Sequence, residues 1–305
     1  MKAIVDIGSN TIKLLIADIL QGKMRVFSTT SRPVRLAEGL SQNKIINPQA
    51  MERARIAMEH LFAEIQKYKV SSIKVVATAA VREAQNAKEF LEFVVNIFGV
   101  PARILSGEEE ARISMLGSSQ VLNSLKIDSK DVVFLDHGGA STEIGVLQPR
   151  YFAKSFPIGA VKAFELLGFT EEAISEDLWK MRDAHFDDFF EQNSLKEFEE
   201  LSKGRHLLLA AGGTLLQMAI AMNKKPAAED VYLCSLEEVE SFLDNLRRLN
   251  VEDRESKIKI EHGRADIMPA GVSLIVYLMK KFSINQLGVT IWGLRHGLPL
   301  DQESA

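Results

Sequence analysis

Apolar and polar positions alternate in two rhythms along the chain, and the sharper one appears twice. At residues 3–17 (AIVDIGSNTIKLLIA) and 132–147 (VVFLDHGGASTEIGVL) an apolar run ends on an acid, crosses a small-residue loop and resumes as alternating apolar positions. Each stretch predicts two strands joined by a glycine-rich turn. A third strand is expected after each, at 25–30 and 151–155. In the first half, Asn47-Pro48 opens a helix with Met51, Ala54, Met58, Leu61, Phe62 and Ile65 at helical spacing. A buried strand (73–78), a second helix with Phe90, Leu91, Val94 and Val95 inward, and a short strand (102–105) follow. Ser106 and Glu109 then form a capping box that starts a helix running to about Gln120.

The second half resembles the first. Residues 157–160 lead into a helix, and 171–203 is helical, with Leu178, Met181, Phe186, Phe189 and Phe190 as core positions. The phenylalanines there predict packing and not a base-stacking platform. A strand at 206–211 turns through Gly212-Gly213-Thr214 into a helix. Ser235 with Glu238 is a second capping box, 270–281 is an apolar helix, 287–292 a strand, and 293–297 a last helix start. Strands alternating with helices, after an opening used twice, predict an α/β protein of two similar domains (1–124 and 125–305) whose loops face each other across a cleft. The last helix is expected to pack back on the first domain.

The repeated loop suits phosphate. Gly138, Gly139 and Ala140 let backbone N–H groups approach an anion, Ser141 and Thr142 add hydroxyls, and Asp136 and Glu143 flank the loop with hard oxygen ligands for a divalent cation. Asp6 and the Gly8-Ser9-Asn10-Thr11 loop repeat the design. Gly212, Gly213 and Thr214 place further backbone donors at a helix start. Arg82 stands where a strand gives way to a helix, the end of an α/β sheet where ligands bind. Arg264 and Asp266 precede a buried helix, suited to lining a cleft or to pairing with each other. Of the glutamates 108 to 110, two are explained by the helix macrodipole alone, and spacing does not say which one differs.

Composition narrows the class. The chain has 305 residues, 46% apolar and 26% charged, with net charge −4 and no Lys/Arg-rich run, which argues against a nucleic-acid polymer as partner. Its longest apolar run falls short of the roughly 18 residues a membrane span needs. Cys234 is the single cysteine and is expected to be a small buried hydrophobe, consistent with a reducing, cytoplasmic setting. No two of the six histidines have metal-ligand spacing, so no zinc site is expected.

Taken together in this order, residues 6–11, 78–83, 106–112, 136–143, 212–214, 264–266 and 293–295 resemble the exopolyphosphatase and guanosine pentaphosphate phosphatase family. The family lies within the actin-like ATPase superfamily. The resemblance covers nearly the whole chain and matches the short two-domain form. It implies two ribonuclease-H-like domains around a central cleft, with polyphosphate or guanosine pentaphosphate as substrate. It singles out Glu110, directly before Ala111-Arg112, as the general base. Asp136 and Glu143, with Asp6 through water, become acids for Mg²⁺ or Mn²⁺. Ser9, Asn10, Thr11, Arg82 and the second loop become phosphoryl ligands, and a homodimer is expected. Three positions depart from the family pattern: His137 for an apolar residue, Ala140 for a third loop glycine, and Gly263 for a glutamate. A positive φ at Ala140 would compromise the loop. The other readings are a kinase of the same superfamily and a sensor that binds the polyanion without turning it over.

Overall fold

The computed structural model describes residues 1–20, 23–228 and 230–301, and these form two compact units, one from the first 117 residues with 294–301 and one from 118–293. In the first unit, β1 (Lys2–Ile7), β2 (Thr11–Leu20) and β3 (Lys23–Pro33) form an antiparallel meander, followed by α1 (Leu40–Asn43) and α2 (Pro48–Ile65). Then come β4 (Ser72–Ala77), α3 (Ala79–Glu83), α4 (Ala87–Phe98), β5 (Ala102–Ile104) and α5 (Gly107–Ser118). The sheet order is β3-β2-β1-β4-β5, with β1, β4 and β5 parallel.

The second unit contains α6 (Leu122–Leu125), β6 (Val132–His137), β7 (Thr142–Val146), β8 (Phe152–Phe156), α7 (Ala160–Leu167), α8 (Glu176–Asn193) and α9 (Lys196–Ser202). It continues with β9 (Leu207–Ala211), α10 (Gly213–Ala221), β10 (Val231–Ser235), α11 (Leu236–Arg247), α12 (Val251–Ser256), α13 (Met268–Lys281) and β11 (Gln286–Thr290). Its sheet runs β10-β11-β9-β6-β7-β8. Read from β8, this is the arrangement of the first unit with β10 added antiparallel to β11. The chain is therefore an α/β protein of two ribonuclease-H-like units.

Local signals act as their chemistry dictates. Asn47 caps α2 by accepting from the Ala50 amide at 2.7 Å. Both capping boxes form, at Ser106/Glu109 and Ser235/Glu238. Phe186 and Phe190 are buried, and Phe190 stacks on Tyr277 at 5.6 Å, so the phenylalanines serve packing. Four expectations need correction. Val95 is 43% and Met181 52% exposed, because the buried stripes of their helices pass beside them. The 171–203 stretch is broken at Ser194, which takes a left-handed φ of 57° and separates α8 from α9. Helix α5 ends at Ser118 and continues only as a 3-10 turn.

A C-terminal return anchors the helix that carries Glu110. Leu294 and Leu298 join the core with Ile4, Leu15, Val76 and Ile113, and Arg112 donates two hydrogen bonds to Asp301, at 2.8 and 3.0 Å. Gly297, in the short helix α14 (Leu294–Gly297), lies against the Ile113 carbonyl so closely that a Cβ there would overlap it. Gly297→Ala is expected to lower stability by about 1–3 kcal/mol, checked by urea denaturation. Neighbouring His296 is buried, and desolvation, then Arg295 and Lys13, holds its pKa well below 6.5. The unfolded chain takes up a proton below pH 6.5 that the folded state refuses, so stability is full above that pH and declines as pH falls. Unfolding curves at about pH 7 and about pH 5.5 are expected to show this loss in the wild type and a smaller one in His296→Phe.

Candidate active site

Strands β1, β4 and β5 run parallel, so their carboxyl ends lie on one edge of the first sheet. The segments that follow them carry Gly8 to Asn10 in a loop, Arg82 in α3 and Glu110 in the first turn of α5. Hydrogen bonds tie the edge together: the Thr78 amide donates to the Ile7 carbonyl at 3.2 Å, and the Leu105 amide to the Ala77 carbonyl at 3.0 Å. From α3, Arg82 Nη1 reaches the Leu105 carbonyl at 2.7 Å and Glu110 Oε2 at 3.1 Å. Glu110 is 7% exposed. The three neighbouring glutamates thus separate by contact. Glu109 closes the capping box and pairs with Arg103, which lowers its pKa, chiefly through the Ser106 amide. Glu110 instead faces Arg82, an arrangement that fixes the carboxylate at the sheet edge.

The two hairpins share one turn. Gly8 N–H donates to the Thr11 carbonyl at 3.1 Å, and Gly138 N–H to the Ser141 carbonyl at 3.0 Å. In the second, the first amides of α7 hold the loop from behind: Ala160 N–H donates to Gly138 and Val161 N–H to Gly139, at 3.0 and 2.8 Å. Gly159 permits this approach, since a Cβ there would stand 2.5 Å from the Gly138 carbonyl oxygen. With the loop carbonyls bound, the amides of Gly139, Ala140 and Ser141 have no backbone acceptor among the described residues. Such amides suit an anion. Ala140 has a negative φ, so the loop does not need glycine at that position. Gly263 has a φ of 80°, a backbone that a glutamate would strain.

Thr142 departs from its expected role. Its hydroxyl donates to the Ile158 carbonyl at 2.5 Å and accepts from His137 Nδ1 at 3.1 Å, wholly buried. Since that hydroxyl proton is committed to a carbonyl, His137 carries its proton on Nδ1. Burial pushes the His137 pKa down to about 4, so the ring is neutral near pH 7. Thr142 therefore pins the hairpin to the segment before α7.

The acids sort by their cross-strand partners. Asp136 faces Glu143 across β6 and β7, and Glu143 faces Ser155 across β7 and β8. Directly opposed residues of an antiparallel pair share a face, so the two carboxylates stand side by side. Ser155 Oγ donates to Glu143 Oε1 at 2.7 Å. At the equivalent place in the first hairpin Asp6 faces Lys13, whose Nζ lies 3.6 Å from Asp6 Oδ2. Among the described residues no three His, Cys, Asp or Glu side chains gather into a cage. Two adjacent carboxylates match Mg²⁺, which takes one or two protein carboxylates and fills its shell with water and phosphate oxygens.

At the start of α10, Gly212 (φ 147°) lies against His137, and the guanidinium of Arg264 lies against Gly213 so closely that a Cβ would stand 2.6 Å from Nη1. Arg264 Nε donates to Glu261 at 2.9 Å. Sequence reading missed Arg254, which is 0% exposed. It donates to the carbonyls of Leu246, Ala265 and Glu172 and so braces the turn carrying Arg264 and Asp266. Burial brings its pKa down to about 10 against the pull of Asp266. An arginine in an acid-rich helix gives no sequence signal of burial.

Two ribonuclease-H-like units of one strand order, each opening on an acid and a small-residue hairpin suited to phosphate, define a duplicated α/β protein. The chain belongs to the Ppx/GppA phosphatase family, whose model matches residues 15–305. It is similar to the Ppx/GppA family member of Aquifex aeolicus, at 27% identity and TM-score 0.74 over 98% of this chain and 96% of that one. An exopolyphosphatase-like protein matches at 25% identity and TM-score 0.85, again over 98% and 96%. The exopolyphosphatase of Cytophaga hutchinsonii, at 21% identity and TM-score 0.86 over 98% and 96%, shares the fold.

Thr142→Val is expected to cost about 1–3 kcal/mol, because the His137 Nδ1–H and the Ile158 carbonyl lose a buried partner. Thr142→Ser is expected to restore most of it. Equal stability of the two variants in denaturant titrations would remove the assigned role.

Proposed function

We propose that the protein hydrolyses the terminal phosphoanhydride bond of inorganic polyphosphate or of guanosine pentaphosphate, releasing phosphate. The observation that carries this reading is Glu110, buried beside Arg82 at the carboxyl edge of the first sheet. A carboxylate oriented there accepts the proton of a water attacking phosphorus in line. Backbone amides of the two hairpin loops, with Arg82 and Arg264, supply donors for phosphoryl oxygens. Asp136 and Glu143 would hold Mg²⁺ or Mn²⁺, which when bound neutralises charge on the phosphoryl oxygens. Similarity to the exopolyphosphatase-like protein supports the substrate class.

A non-hydrolytic binder has no need of a glutamate held beside an arginine at the sheet edge, and this favours turnover over sensing. We also infer a homodimer working in a reducing, cytoplasmic setting. Cys234 suits that setting: its thiol is buried and its pKa pushed up to about 11, which makes it unreactive.

Phosphate release from long polyphosphate, short polyphosphate and guanosine pentaphosphate, with and without Mg²⁺, tests the reading. Wild type is expected to release phosphate in a metal-dependent manner from at least one, and Glu110→Gln to fall by roughly 10²-fold or more with substrate binding retained. Undiminished release by Glu110→Gln would remove it as the base.

A further inference from the structure

Asn10 follows the first loop glycine, and its backbone is fixed by its neighbours. Its carbonyl accepts from the amides of Val34 and Arg35 at 2.8 and 3.0 Å, and the Ser9 carbonyl accepts from the Ala37 amide at 2.9 Å. The side chain so positioned is 6% exposed, and neither Oδ1 nor Nδ2 has a hydrogen-bond partner among the described residues. A buried amide with both ends unsatisfied is costly to the folded chain and calls for a ligand. Because both ends are unsatisfied, that conclusion does not depend on which terminal atom is oxygen.

The two ends make different demands. Nδ2 needs an acceptor, which an ionised phosphoryl oxygen supplies. Oδ1 needs a donor, which an ionised phosphoryl oxygen cannot be. The loop amides and the arginines are assigned above to phosphoryl oxygens, which leaves the attacking water as the donor for Oδ1. Asn10 and Glu110 belong to the same unit, one in the loop after β1 and the other in the first turn of α5 after β5, at the same edge of one sheet, joined by the Ile7–Thr78 and Ala77–Leu105 hydrogen bonds.

We propose that Asn10 is the second acceptor for the nucleophilic water, with Nδ2 holding an oxygen of the phosphoryl group under attack; this rests on the hydrolase reading above. The water gives one proton to Glu110 and directs the other at Asn10 Oδ1, leaving a lone pair aimed at phosphorus. As the new P–O bond forms, the bond to the bridging oxygen breaks and its electron pair leaves with the shortened substrate. The second proton stays on the released phosphate as its hydroxyl.

The test compares Asn10→Ala and Asn10→Asp with wild type in two measurements. In thermal unfolding of the ligand-free protein, Asn10→Ala is expected to match or exceed wild type, since the amide makes no internal bond; a lowered Tm would give it a structural role and overturn the proposal. In phosphate-release kinetics on short polyphosphate and on guanosine pentaphosphate, Asn10→Ala is expected to lose roughly 30-fold or more in kcat. Asn10→Asp keeps the acceptor and repels the anion, so it is expected to recover most of that kcat while its KM rises. An unchanged kcat in Asn10→Ala with only KM raised, or equal kcat in both variants, would overturn the water's placement and leave the hydrolase reading intact. If wild type releases no phosphate from either substrate, the hydrolase reading fails, and the water's role with it.

Discussion

Two carboxylates standing opposite each other on neighbouring antiparallel strands repel, and the second unit nevertheless places Asp136 against Glu143. Nothing in strand pairing favours that choice. The equivalent position of the first unit shows the ordinary solution, Asp6 against Lys13. One position in a duplicated hairpin thus separates a neutral pair from a concentrated negative site. Ser155 supports Glu143 from the third strand, and the row Asp136, Glu143, Ser155 gives the second hairpin the oxygen-rich face that a hard cation requires.

The first unit solves a different problem, that of holding one carboxylate still. Glu110 sits in the first turn of α5, and a first turn frays unless it is tied down. Ser106 and Glu109 tie it at the N-terminus. Arg112 ties it to Asp301, and Gly297 lets the C-terminal return lie directly on the Ile113 carbonyl. Arg82 then takes up the carboxylate from α3. Residues almost two hundred positions apart in sequence hold the helix, which is why α14 belongs to the first unit.

Much of this was legible in the chain because its causes are local. A capping box needs two residues three apart, and a hairpin needs alternation and a small-residue turn. The duplication of the three-strand opening was legible because its hairpin appears twice, whereas the β3-β2-β1-β4-β5 order came from pairing. What local pattern could not show was the partner. Glu108, Glu109 and Glu110 are equivalent in a first turn until Arg82 and Arg103 arrive from elsewhere. Strand β10 was missed because its five residues lie just before a capping box and draw their identity from pairing with β11. Arg254 was missed and Thr142 misread for the same reason. Side-chain chemistry said nothing of Arg254 and suggested a phosphate ligand at Thr142, whereas tertiary contact made one a buried brace and the other a pin.

The departures from the family pattern around the second loop have their own physical logic. A histidine at 137 places a bulky polar ring in the core, and a distant glycine, Gly271, leaves it room. A Cβ at Gly271 would stand 3.0 Å from Nε2, while Gly212 accommodates the residue's backbone carbonyl and not its ring. The ring stays neutral through burial and gives its one proton to Thr142, so it adds no charge beside Asp136. Ala140 sits at negative φ, and the carbonyls of Gly138 and Gly139 are tied to α7. The substitutions therefore change what lies behind the loop and leave its amides as they were, so neither weighs toward a protein that binds phosphate without turning it over.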